Sequence, residues 1–92
     1  MNLMKPMEKQ FTKDAWEDIE YWLKEDRKIL LKIHFLLKDI ERSAFSGIGK
    51  PEALKHELSG YWSRRIDEEN RLVYTVQDNK IVVIQCKTHY KK

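Results

Sequence analysis

The spacing of apolar residues changes once along this chain, and that change restricts the fold more than any other feature. Before residue 46, apolar residues recur at intervals of three and four, which is the period of an amphipathic helix. After residue 53 they alternate with polar residues, which is the period of a strand. Segment 46–51 separates the two parts and contains two glycines and a proline, so it cannot continue a helix. Helices are therefore expected first and strands afterwards.

Two helices are predicted in the first half. Thr12 and Asp26 are suitable N-caps, because their side chains can accept a hydrogen bond from the first turn that follows. The apolar face of the first helix consists of Ala15, Trp16, Ile19, Trp22 and Leu23. The apolar stripe of the second consists of Ile29, Leu30, Ile33, Leu36, Leu37 and Ile40. Because only residues 24–26 connect the two patterns, we expect an antiparallel helical hairpin.

Strand periodicity occupies most of the second half. The runs that alternate are residues 54–58, 61–66 and 71–76, with polar turns at 67–70 and 77–80. Residues 81–84 are continuously apolar, as expected of a strand that is buried on both faces. A further short strand at 9–11 is compatible with the residues before the first helix. The predicted class is α+β, with an N-terminal helical hairpin packed on a twisted antiparallel sheet of about four strands. Because 92 residues suffice for one modest core, residues 1–92 are expected to form a single domain.

The pairing of two predicted strands brings two arginines together. Trp62 and Ile66 lie on one face of their strand, and Leu72 and Tyr74 lie on one face of the next. Both apolar faces must meet the helices, so the loop between the strands must contain an odd number of residues. That register places Arg65 and Arg71 side by side on the opposite face, beside Tyr61 and Ser63. Neighbouring like charges repel, which favours an anionic ligand at this position.

Arginine side chains match phosphate oxygens in bidentate geometry, so Arg64, Arg65 and Arg71 are candidate phosphate ligands. The alternative is a hydrated face whose charge is neutralised by acidic residues of the adjoining turn, Asp67, Glu68 and Glu69. The sequence alone does not separate these two interpretations. The net charge of +3 also favours a polyanionic partner, although many ordinary domains are as basic.

Glu52 follows the glycine–proline segment and lies between Lys50 and Lys55. A carboxylate among lysines can act as a general base on a ribose 2′-hydroxyl, while the lysines offset the charge of the phosphate. The simpler alternative is a surface salt bridge, which this segment alone favours.

Among the remaining candidates is His89, because the unperturbed pKa of a histidine side chain suits proton transfer near neutrality, and Tyr90 follows it. The alternative for this pair is a tail without a role. His34 and His56 are interpreted as structural, and Cys86 as a core residue. The three histidines and one cysteine show no zinc-ligand spacing, so no metal or cofactor is predicted.

No signal peptide or membrane-spanning run is recognisable, and the lone Cys86 cannot form an intramolecular disulfide. The expected location is the cytoplasm, without membrane association.

From Gly47 onward the sequence closely resembles the YoeB-like toxins, within the RelE-like superfamily. The residues that carry the resemblance are Gly49-Lys50-Pro51-Glu52, Leu54-Lys55-His56, the run 58–66, the run 68–74 and His89-Tyr90. The first half is also similar, at Trp16-Glu17-Asp18 and Tyr21-Trp22. The resemblance covers nearly the whole chain after Met7, and it implies the RelE-like microbial RNase fold.

The resemblance also implies a ribonuclease mechanism. Glu52 would be the general base for attack of the 2′-hydroxyl on the adjacent phosphate, and His89 the general acid for the leaving 5′ oxygen. Arg65 would stabilise the phosphate in the transition state. Lys55 and Arg71 would bind neighbouring phosphates, and Tyr90 would stack on or orient a nucleotide. No metal is needed, because the cationic side chains supply the positive charge.

The partners implied by the family are mRNA in the ribosomal A site, the ribosome, a YefM-like antitoxin and a second copy of the chain in a homodimer. Two non-catalytic alternatives remain open. One is a nucleic-acid-binding module that acts with a partner as a repressor, and the other is an inactive toxin relative that only titrates an antitoxin. A binding module would have no use for the carboxylate of Glu52 near a phosphate.

Overall fold

The computed structural model describes residues 6–88, and its elements follow the predicted order of helices before strands. The helices are α1, Lys13–Glu25, and α2, Arg27–Arg42. The strands are β1, Glu8–Phe11; β2, Glu52–Ala53; β3, Trp62–Arg65; β4, Arg71–Gln77; and β5, Lys80–Gln85. A short 3-10 helix spans His56–Leu58.

Both predicted helix caps are confirmed. Thr12 Oγ1 accepts a hydrogen bond from the Ala15 N–H at 3.2 Å, and Asp26 Oδ1 accepts one from the Lys28 N–H at 3.1 Å. Asp26 also ends α1, since its own N–H donates to the Trp22 carbonyl. One residue therefore separates the two helices, which makes the hairpin tight. Within residues 6–88, neither helix is long and apolar enough to cross a membrane.

The sheet has the strand order β1-β5-β4-β3-β2. The predicted α+β class and helical hairpin are confirmed, and the structure adds two details to the sheet. It has five strands rather than four, and β1 pairs with β5 in parallel while the other neighbours are antiparallel. The helical hairpin carries the chain from one edge of the sheet to the other. The direction of β1 relative to β5 depends on how the hairpin crosses the sheet. The local spacing of apolar residues does not encode that direction.

The predicted strand at residues 54–58 is wrong. This segment forms the 3-10 helix, and His56 is exposed with a φ of 60°. Among the strands of residues 6–88, the neighbour on this side is β3, and β3 begins at Trp62. The backbone therefore bonds to itself, with the Leu58 N–H donating to the Lys55 carbonyl and the Ser59 N–H to that of His56.

The core lies between the helical hairpin and one face of the sheet. Its buried residues are Ala15, Trp22, Ile33, Leu36, Leu37, Ile40, Ile66, Leu72, Tyr74, Ile81, Val83 and Cys86. The helices and the inner face of the sheet both contribute to this one cluster, so the other face is left without a helical cover. The candidate site lies on that other face.

Cys86 is a core residue, as predicted. It is 0% exposed, and burial raises the pKa of its thiol to about 12. Because only the thiolate reacts, we expect no titration of native protein by a disulfide reagent such as Ellman's reagent, and one thiol per chain after unfolding in guanidinium. Rapid titration of native protein would show that the segment around Cys86 opens readily.

Candidate functional site

Arg65 and Arg71 are direct cross-strand partners in the β3–β4 pair, on the face away from the helices. The loop between β3 and β4 comprises residues 66–70, an odd number, as the hydrophobic pattern requires. Trp62 lies opposite Tyr74 on the inner face, so the predicted register is confirmed. Side chains in directly opposed positions have Cβ atoms about 5 Å apart, so the two guanidinium groups can reach one anion.

The acidic turn does not form ion pairs with these two arginines. Within residues 6–88, no carboxylate oxygen lies within 4.0 Å of the side-chain nitrogens of Arg65 or Arg71. Arg71 Nη1 donates instead to main-chain carbonyls of the turn, those of Asp67, Glu68 and Asn70, at 3.0–3.2 Å. These bonds orient the guanidinium, and Asp67 interacts with its charge only at a distance longer than an ion pair. The geometry therefore favours the interpretation that Arg65 and Arg71 bind an anion over the interpretation that the acidic turn neutralises them.

Arg64 is not a phosphate ligand. It alternates with Arg65 along β3, points into the core and is 0% exposed. Its charge is balanced by Asp39 of α2, whose Oδ2 lies 2.5 Å from Nη1. Hydrogen bonds from Arg42 and Arg64, and then from the Ile48 N–H, lower the pKa of Asp39 to about 2. The sequence signal for its burial was that Arg64 shares a strand face with Trp62 and Ile66.

Glu52 lies on the same face as the arginine pair. It is exposed and pairs with Ser63, two residues before Arg65 in β3. The diagonal Cβ–Cβ distance for such a position is about 7–8 Å, within reach of a long side chain. Ser63 and Val73 follow Glu52 across the strands on this face, and their exposed fractions are only 7% and 5%. Among residues 6–88, Glu52 has no salt-bridge partner within 4.0 Å, so the predicted alternative of a surface salt bridge is not observed.

Lys50 is brought to the same end of the sheet, whereas Lys55 is not. The Arg65 N–H donates to the Gly49 carbonyl at 2.6 Å, so Lys50 is next to a residue bonded to Arg65. Lys55 follows Leu54, whose N–H donates to the Tyr61 carbonyl at the opposite end of β3. Both lysines are exposed. Lys50, Glu52, Arg65 and Arg71 therefore form one group, and Lys55 lies apart from it along the strand.

Asn70 is a residue of this region that the sequence interpretation missed. It is 8% exposed, its amide Nδ2 donates to Asp67, and its Oδ1 accepts from the Thr88 N–H at 2.9 Å. Thr88 Oγ1 also donates to the Glu69 carbonyl. The end of the described chain is thus attached to the β3–β4 loop beside Arg71. An asparagine that closes a turn begun by aspartate was the only sequence signal.

Two predicted site residues, His89 and Tyr90, lie outside the described residues. His34 and His56, interpreted as structural, are both exposed. Within residues 6–88, no group of three histidine, cysteine or acidic side chains is arranged to hold a metal ion.

The sequence matches a family described as "YoeB-like toxin of bacterial type II toxin-antitoxin system" over residues 11–90. It is 50% identical over 80 residues to Toxin YoeB of Escherichia coli K12, an alignment that covers 87% of this chain and 95% of that protein. It is 54% identical over 80 residues to Toxin RelK of Mycobacterium tuberculosis, covering 87% and 94% of the two chains.

Two solved structures from Staphylococcus aureus are similar over the same region. One is a YoeB dimer, with a TM-score of 0.87, 50% identity and coverage of 94% of this chain and 100% of that one. The other is a heterotetrameric complex of the YoeB-YefM toxin-antitoxin, with the same TM-score, identity and coverage.

Proposed function

We propose that this chain, which belongs to the YoeB-like family of toxins from bacterial type II toxin–antitoxin systems, is an endoribonuclease that cleaves mRNA in the ribosomal A site. One observation carries the proposal: exposed Glu52 shares an uncovered sheet face with the cross-strand pair Arg65 and Arg71. Among residues 6–88, neither arginine has a carboxylate oxygen within 4.0 Å. A carboxylate beside two such cations suits proton removal next to a bound phosphate better than it suits polyanion binding alone.

In the proposed reaction, Glu52 removes the proton of a ribose 2′-hydroxyl as that oxygen attacks the adjacent phosphorus. The new P–O2′ bond gives a 2′,3′-cyclic phosphate, and the bond from phosphorus to the 5′ oxygen breaks. His89 donates a proton to that leaving oxygen. The direct support for Glu52 is its exposure and its position one diagonal step from Arg65.

The cationic residues stabilise the negative charge on the oxygens of the phosphate. Arg65 binds the oxygens of the reacting phosphate, which carry the most charge in the transition state. Arg71 and Lys50, at the same end of the sheet, bind this phosphate or its neighbour. Lys55, at the other end of β3, suits a phosphate further along the strand. These side chains supply the charge that a metal ion supplies in other phosphoryl-transfer sites, so the mechanism requires no cofactor.

The proposed roles of His89 and Tyr90 are supported by the attachment of the preceding residue. Thr88 is bound to Asn70 and Glu69 in the loop that ends beside Arg71. Thr88, the last described residue, is therefore held at this loop. A histidine general acid and a tyrosine that stacks on a nucleotide would complete the site there.

The proposed partners follow from the family and from the solved relatives. The S. aureus relatives assemble as a YoeB dimer and as a YoeB-YefM heterotetramer. We infer a homodimer and a YefM-like antitoxin for this chain as well, and a cytoplasmic location where both ribosomes and antitoxin are present. The net charge of +3 suits both an RNA substrate and an acidic protein partner.

Primer extension on mRNA bound to purified ribosomes tests the proposed function. Wild-type protein is expected to cut at the A-site codon and to leave a cyclic phosphate on the upstream fragment. His89→Gln is expected to cut on the order of 100-fold more slowly, because the leaving oxygen loses its proton donor. Undiminished cleavage by His89→Gln would remove this histidine from the mechanism. Binding without cleavage by the wild type would instead favour the non-catalytic module.

A further inference from the structure

A buried cluster of three side chains holds the loop that precedes Glu52. We call Asp39, Arg64 and Tyr74 the Arg64 cluster; they come from α2, β3 and β4. Arginine has five N–H donors, and all five are used here. Two reach the other members of the cluster, Asp39 Oδ2 at 2.5 Å and Tyr74 Oη at 3.2 Å. The other three reach main-chain carbonyls of the loop, those of Ser43 at 2.6 Å, Ser46 at 2.9 Å and Ile48 at 3.1 Å.

The other two members of the cluster bind the same loop directly. Asp39 Oδ2 accepts from the Ile48 N–H at 3.0 Å, and Tyr74 Oη donates to the Ala44 carbonyl at 2.6 Å. The loop is therefore attached at residues 43, 44, 46 and 48 to groups that are themselves 7% exposed or less. Hydrogen bonds among such buried groups are costly to break, so they hold the loop in one arrangement.

The end of the loop lies against β3 at close range. The Gly49 carbonyl accepts from the Arg65 N–H at 2.6 Å. A Cβ atom at residue 49 would lie 2.9 Å from Leu36 Cδ2 and 3.1 Å from the Arg65 carbonyl oxygen, and the φ of 81° at this residue also favours glycine. Three residues later Glu52 begins β2, which is two residues long and has few ladder bonds of its own. The position of Glu52 therefore depends on the loop before it.

We propose that the Arg64 cluster is a positioning device that sets Lys50 and Glu52 at a fixed place relative to Arg65, an inference that rests on the proposed RNase function. Arg64 and Arg65 are neighbours in β3 and point to opposite faces of the sheet. One strand thus carries both the residue that faces the phosphate and the residue that fixes the loop of the general base. A misplacement of about 1 Å can cost a reaction up to ~100-fold in rate.

Amide hydrogen exchange measured by NMR tests the positioning role without reference to activity. The variants are Tyr74→Phe, which removes only a hydroxyl, and Asp39→Asn, which keeps the size of the side chain. The control is Ile33→Val, which weakens the core of α2 away from the loop. The Arg65 and Ile48 amides are expected to exchange about tenfold faster or more in both variants, relative to core amides of β4, and to be unaffected in the control.

Cleavage of ribosome-bound mRNA then shows whether this loop position matters for the reaction. At a temperature where all variants are folded, kcat of Tyr74→Phe is expected to fall about tenfold while KM changes by less than about twofold. The control is expected to keep the wild-type kcat. A merely structural role would lower the melting temperature of Tyr74→Phe and leave kcat of the folded protein unchanged.

Failure of this inference can be distinguished from failure of the proposed function. If wild-type protein cleaves mRNA and Tyr74→Phe and Asp39→Asn do so at the wild-type kcat, the positioning role is wrong and the RNase function stands. If wild-type protein does not cleave, the function is wrong, and the exchange experiment still decides whether the cluster fixes the loop. Unchanged exchange at Arg65 and Ile48 in both variants would overturn the inference outright.

Discussion

Replacing Glu52 by glutamine is expected to slow cleavage of ribosome-bound mRNA by about 1000-fold, the range for loss of a general base. Glutamine has the same size but cannot take up the 2′-hydroxyl proton at neutral pH. Glu52 is exposed at the edge of the sheet, and within residues 6–88 it makes no ion pair, so the fold is expected to tolerate the change. Primer extension over a time course measures the loss.

The same variant separates an enzyme from a binding module. Removing a negative charge beside Arg65 and Arg71 is expected to leave RNA binding unchanged or to strengthen it. Glu57→Gln is the matched control, because Glu57 is also exposed but lies in the 3-10 helix away from the arginine pair. Equal cleavage by wild type, Glu57→Gln and Glu52→Gln would exclude Glu52 as the base.

Asp39→Ala is expected to destabilise the folded chain by about 3–5 kcal/mol, because it leaves a buried charge without its counterion. Arg64 is 0% exposed, and an arginine side chain keeps its charge in proteins. For a chain of this size such a loss lowers the melting temperature by roughly 15 °C or more. Thermal unfolding followed by circular dichroism measures it.

Glu41→Ala is the control on the same helix. Glu41 also forms an ion pair, with Lys9, but the side chain of Lys9 is 29% exposed and water can solvate it once the carboxylate is gone. The expected cost is about 1 kcal/mol. If both substitutions cost the same, burial of Arg64 is not the reason for the effect.

The contribution of Asp39 is also expected to depend on pH. Hydrogen bonds, from Arg42 first and then Arg64, lower its pKa from 3.8 to about 2 in the folded state. A lowered pKa stabilises the folded state above the unfolded value, and this stabilisation is lost as pH falls through the folded value. The stability difference between wild type and Asp39→Ala should therefore be full above about pH 4 and shrink towards pH 2. Urea unfolding at several pH values in that interval measures the difference.

Local patterns in the sequence were sufficient for several elements. The caps at Thr12 and Asp26 depend on contacts within one turn, so their residue types predict them directly. The β3–β4 register follows from a rule with period two, because a shift of one residue would turn Trp62 and Tyr74 to water. That rule predicts Arg65 beside Arg71 from the sequence alone.

Other features needed contacts between distant parts of the chain. The parallel pairing of β1 with β5 joins strands separated by the entire helical hairpin. The alternation at residues 54–58 suggested a strand, but a strand forms only where a neighbouring strand can pair with it. The neighbour among residues 6–88, β3, begins at Trp62 and leaves residues 54–58 without a strand to pair with.

For the candidate site, residue type and period predicted which residues face the open side of the sheet. They did not predict that Lys55 lies at the far end of β3 from Arg71, or that Thr88 is attached to Asn70. The separation of Lys55 from Arg71 and the contact between Thr88 and Asn70 depend on how distant segments of the chain are arranged around the sheet.

What the sequence by itself determined is the family, the α+β class, the helical hairpin and the pairing of Arg65 with Arg71. Periodicity, capping and residue type are local properties, and they suffice for these features. Only the tertiary structure decided that Arg64 is a buried partner of Asp39 rather than a phosphate ligand. Adjacent arginines have the same chemistry, and what separates them is that the helices cover one face of β3 and leave the other open.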